Sequence, residues 1–135
     1  MEEDTLLPFA FPAVARKKVS AAFDGGMLSS DGGVLVLRNI EKQLGLAHRL
    51  SLCLKDRRDP DLIKHTVEEM LRLRMLAIAA GYEDANDCDA LRADPAFKMA
   101  VGRLPESAAD LCSQPTMCRL ENLPGSVALK RMMMA

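Results

Sequence analysis

DPDLIKHTVEEMLRLRMLAIAAG, residues Asp59 to Gly81, reads as the longest helix of the chain. Asp59 has the side chain of an N-cap, and Pro60 suits the first helical position, where no backbone N–H is needed. Ile63, Val67, Met70, Leu71 and Ile78 recur at helical spacing and supply an apolar face. The pattern predicts a helix to about Ala80, closed by Gly81. Glu68 and Arg72 stand four residues apart, so they pair along one face.

The same start signal recurs downstream. Asp94-Pro95 predicts a helix ending at Gly102, and Ser113-Gln114-Pro115 predicts another to about Asn122, ended by Pro124-Gly125. Upstream, Ser29-Ser30-Asp31 offers capping side chains to a helix in which Val34-Leu35-Val36-Leu37, Ile40 and Leu44 follow at helical spacing, and Gly45 stops it. A short helical piece follows over 47–54. Before these, Lys17 to Phe23 reads as a strand, Asp24-Gly25-Gly26 as a tight turn and Met27-Leu28 as the returning strand. The expected fold is therefore mainly α (α+β), a helical domain with a short N-terminal β-hairpin. Residues 1–15, with Pro8 and Pro12 among Leu7, Phe9 and Phe11, read as a flexible arm.

Composition agrees with packed helices. The chain has 135 residues, 49% hydrophobic and 27% charged, with nine Met, no Trp and only 4% aromatics. A chain of this length can bury a core as one domain. The apolar run Met75–Ala80 is far shorter than the roughly 20 residues of a spanning helix. The acidic start, Met1-Glu2-Glu3-Asp4, lacks the basic character of a secretory signal. These readings place the protein in the cytoplasm, with no membrane partner. Cys53, Cys88, Cys112 and Cys118 form no C-x-x-C pair and read as reduced, small hydrophobic residues.

The net charge of −1 speaks against a uniformly basic nucleic-acid binder, but charge is unevenly distributed. Residues 16–74 carry twelve Lys/Arg against eight Asp/Glu, and residues 75–110 carry three against seven. Such asymmetry can leave one basic face on a near-neutral protein. The acidic stretch 83–89 fails as a calcium loop. Counted from Asp84, the fifth position is Cys88, the sixth Asp89 and the twelfth Pro95. Cap and first-turn acids account for it better. The repeated Asp24-Gly25-Gly26 and Asp31-Gly32-Gly33 lack a phosphate-loop pattern and read as turns. Neither His48 nor His65 stands in a motif with Ser or Cys, so no catalytic or metal-ligating residue is assigned.

Three stretches taken together resemble the N-terminal region of DDE-type transposases of bacterial insertion sequences, the IS thirteen-eighty group. They are Phe23 to Leu35 (FDGGMLSSDGGVL), Gly81 to Asp87 with Leu91 to Pro95, and Ser113 to Thr116 with Arg119 to Asn122. The resemblance covers residues 17–123. It implies DNA transposition by two metal ions, magnesium in kind, held by Asp, Asp and Glu on an RNase H-like core. In the family the first catalytic Asp follows the Arg-Leu-Glu-Asn helix, so the resemblance implies a chain truncated before that core, with no cofactor of its own. The domain reading is a flexible arm over 1–15, a helical region over 16–123 and an atypical tail over 124–135. The tail departs from the family pattern, as a truncated or frameshifted gene product would.

The expected role is DNA recognition and assembly at the element ends, as a homo-oligomer or with full-length transposase, in association with the nucleoid. Candidate DNA contacts are Lys17, Lys18, Arg57, Arg58, Lys64, Gln114, Thr116 and Arg119. Their side chains are those used on phosphates and base edges. The alternative is a protein-interaction fragment that pairs with or inhibits full-length transposase, or a degenerate remnant without function.

Overall fold

The computed structural model describes residues 12–18, 26, 28–106 and 108–135. Among them the fold is helical, with no strand and no sheet. The expected hairpin over 17–28 lies mostly outside the described residues. The β pairing that is described is a single bridge, Val14 to Lys17, turned by Ala15 and Arg16 at positive φ. Lys17 thus ends a tight turn.

Helix α1 (Val34–Leu44) stops at Gly45, whose left-handed φ of 61° suits a residue without a Cβ. Its N-cap is Gly33, with no side-chain cap. The expected capping by Ser29 and Asp31 is therefore corrected. Their side chains go to tertiary partners: Ser29 donates to the Asp94 carboxylate, and Asp31 accepts from the Tyr82 hydroxyl. Helix α2 (Leu46–Ser51) follows directly.

The long helix read from Asp59 is two pieces. Asp59 does cap, but it caps a 3-10 turn over Pro60–Leu62, and Ile63 is extended. Helix α3 (Val67–Ala79) starts at Thr66, whose hydroxyl accepts from the Glu69 N–H at 3.1 Å. The buried face is Val67, Met70, Leu73, Leu76 and Ala77, while Ile78 is half exposed. Moving the start thus redraws the expected apolar stripe. Glu68 and Arg72 pair as expected, at 2.7 Å.

After a 3-10 turn at Ala85–Asp87 come α4 (Cys88–Leu91) and α5 (Pro95–Ala100). The Asp94 carboxylate accepts from the N–H groups of Ala96 and Phe97, as an N-cap should. Helix α6 (Gln114–Glu121) begins at Ser113, and the tail forms α7 (Ser126–Met133).

Helix α3 sits at the centre, packed against α1, α2 and α6. Phe97, Leu73, Leu111, Met117, Cys88 and Cys112 are fully buried, and Tyr82 meets Phe97 edge to face at 6.0 Å. All four cysteines are free, and burial pushes the Cys112 thiol up to about 12.

Candidate nucleic-acid interface

Packing of α6 on α3 decides which side chains face outward. Met117 and Leu120 turn into the core, and Glu121 pairs with Arg74 of α3. Helical periodicity then leaves Thr116 and Arg119 on the flank. Opposite this flank runs the loop after α2, carrying Arg57 and Arg58. The two segments, with Val67 and Met70 at the start of α3, enclose a cleft of about 300 Å³. Asp56, Leu120 and Leu123 complete its lining.

Beside it lies a second lobe of about 550 Å³, bounded by Lys55, Leu123, Pro124 and the α7 residues Val127, Ala128 and Arg131. Arg57 and Leu123 border both lobes. Among the described residues the two lobes together present five basic side chains against one carboxylate, Asp56. A chain of net charge −1 therefore carries a strongly positive groove, where field lines of one sign accumulate.

The basic groups are not equivalent. Arg58 holds Asp56 in a two-pronged pair, with Nε to Oδ1 at 2.9 Å and Nη2 to Oδ2 at 2.7 Å, and also donates to the His65 carbonyl at 3.0 Å. The side-chain bond to Arg58 keeps the Asp56 carboxyl below its usual value. An incoming phosphate must compete with Asp56 for Arg58. Arg57 and Arg119 are exposed and form no ion pair among the described residues, so they face an anion without that competition.

Four of the eight candidate contacts thus converge: Arg57, Arg58, Thr116 and Arg119. Lys64 is exposed but does not line the groove, and its carbonyl accepts from Arg103. Gln114 is engaged elsewhere, its N–H donating to Asp89 and its amide to the Cys118 sulfur. Lys17 and Lys18 are exposed on the stretch 12–18. Sequence reading missed Lys55 and Arg131. The run Lys55-Asp56-Arg57-Arg58 was the signal for the first; Arg131 stood in the tail, which offered no recognised pattern.

The acidic stretch 83–89 behaves as cap chemistry. Asp84 accepts from the Asn86 N–H, and Asp89 holds the first N–H of α6 at 2.9 Å. Among the described residues no three His, Cys, Asp or Glu side chains lie together as metal ligands would. Among the described residues no helix is long and apolar enough to cross a membrane.

The three stretches that carry the transposase resemblance meet in space. Ser29 and Asp31 of the first bond to Asp94 and Tyr82 of the second, and Asp89, beside the second, bonds to Gln114 of the third. Their spacing therefore serves one folded unit. No curated protein and no solved structure matches the chain. A family model does, over residues 11–135, a span that takes in the seven α-helices of the described residues and both lobes of the groove. On that match the chain belongs to the family described as transposase DDE domain group 1.

Proposed function

We propose that this chain is the DNA-recognition and assembly region of a DDE transposase of the IS thirteen-eighty group, acting on the ends of its element near the nucleoid. Family membership points to a role in transposition. The observation that carries the DNA reading is the convergence of Arg57 and Arg58 with Thr116 and Arg119, from segments far apart in sequence, in one groove. Ion pairing with phosphates supplies most of the affinity in such a site. Cutting and rejoining, with the magnesium ions of an Asp, Asp, Glu set, belong in this reading to a core outside these residues.

Fluorescence anisotropy on terminal inverted-repeat DNA, across a salt series, tests it. Binding should weaken steeply with salt. Arg119→Gln should lower affinity on every sequence and reduce the slope of log K against log salt by about one. Absence of binding at low salt, or binding indifferent to salt, would overturn the reading.

One observation favours a second reading, pairing with another transposase chain. Val36, Ile40 and Leu44, at i, i+4 and i+8 on α1, form an exposed apolar stripe. Light scattering would reveal a dimer, and Ile40→Glu should return it to monomer if the stripe is the contact.

A further inference from the structure

The groove has a property that phosphate contacts leave unused. The floor of its smaller lobe is apolar, formed by Val67 and Met70 of α3 with Leu120 and Leu123. A phosphate backbone gains nothing from aliphatic surface. Three guanidinium groups, those of Arg57, Arg58 and Arg119, stand around this floor. A flat, weakly hydrated body attached to phosphates matches both features, and an unstacked nucleotide has that chemistry. The lobe, at about 300 Å³, lies at the small end of ligand-sized clefts.

We infer that this lobe receives an unpaired nucleobase of the bound DNA. This rests on the reading of the groove as a DNA site and adds what it selects. The base lies against Leu123 and the Met70 thioether, a polarisable group suited to an aromatic face. Arg57 and Arg119 take the flanking phosphates, and an arginine plane covers the outer face of the base. The Asp56 carboxylate, at the rim, accepts from a base N–H once Arg58 turns to phosphate. Distorted or partly opened DNA is then preferred over intact duplex.

Three labelled probes test this with the full chain: a blunt duplex, the same duplex with one unpaired thymine, and the same bulge with an abasic sugar. The thymine bulge should bind about tenfold more tightly than either other probe, the effect of about one stacked base. Leu123 is 42% exposed, so Leu123→Asn should leave the thermal melt intact. It should bring the three probes to within about twofold of one another. Arg119→Gln should weaken all three alike. If base-containing and abasic bulges bind equally, the base pocket is wrong and the backbone groove survives. If no probe binds at low salt, the groove reading falls and the pocket with it.

Discussion

Glu41 is a carboxylate buried in a helical core, and its neighbours explain why it is tolerated. The Ala47 N–H donates to Oε1 at 2.8 Å, and Arg72 Nε donates to Oε2 at 2.8 Å. Arg72 also reaches Glu68 at 2.7 Å, and His48 bonds to the same carboxylate at 3.0 Å. Burial works against the Arg72 charge, but its two carboxylates outweigh that and raise its pKa. Bonds from His48 first, and Arg72 next, hold the Glu68 carboxyl below its ordinary 4.5. Its folded-state pKa is depressed, so its contribution to stability is present above 4.5 and is lost as pH falls through the lower folded value. Because Glu68 is a third exposed, solvent screens the pair. Glu68→Gln should therefore cost at most about 0.5 kcal/mol at neutral pH. The gap between variant and parent in urea midpoints should close progressively as pH drops below 4.5 and through the lower folded value. A gap that persists there would show that Glu68 acts through packing.

At the scale of elements, the start of α3 separates two cap signals that look alike in sequence. Thr66 caps a helix of 13 residues; Asp59 caps a 3-10 turn of three. Thr66→Ala should lower stability by about 1 kcal/mol, and Asp59→Ala by less than about half of that. Urea titration of both variants checks the order, and the reverse order would place the helix start at Asp59. The example also shows what was legible. Asp94-Pro95 was readable because its carboxylate acts on backbone groups two and three residues away, Gly45 because a left-handed stop favours a residue without a Cβ, and the start of α6 because Pro115 suits the first helical turn. Asp59-Pro60 misled because a short 3-10 turn needs the same side chain. Thr66-x-x-Glu69, a capping-box spacing, was the competing local signal. Ser29 and Asp31 could not be read, since their partners stand 65 and 51 residues away. The groove follows the same logic. Residue type marked Arg57, Arg58, Thr116 and Arg119 as suited to DNA, but only the packing of α6 on α3 decides that they line one groove. Lys55 and Arg131 join them through that packing and through α7.

Across the whole molecule, two sets of polar residues do different work. Asp94 closes the first turn of α5 and tethers Ser29, joining the segment before α1 to the one before α5. Asp89 ties the α4 region to the start of α6 in the same manner. None of Ser29, Asp89 or Asp94 lines the basic groove. Arg57 is the converse: exposed, bordering both lobes and part of no tertiary ion pair among the described residues. Stability and affinity should therefore separate by substitution. Asp94→Ala should lower unfolding free energy by about 1–2 kcal/mol, because two N–H groups and Ser29 lose their acceptor. It should leave DNA affinity and its salt slope unchanged wherever the protein is still folded. Arg57→Gln should do the opposite, leaving the urea midpoint within about 0.5 kcal/mol of the parent while weakening DNA binding and flattening the salt dependence. Paired urea melts and anisotropy titrations on the two variants decide the matter. If Asp94→Ala weakens binding in the folded protein, the stretches that define the family resemblance reach the DNA themselves, and the division between scaffold and groove is wrong.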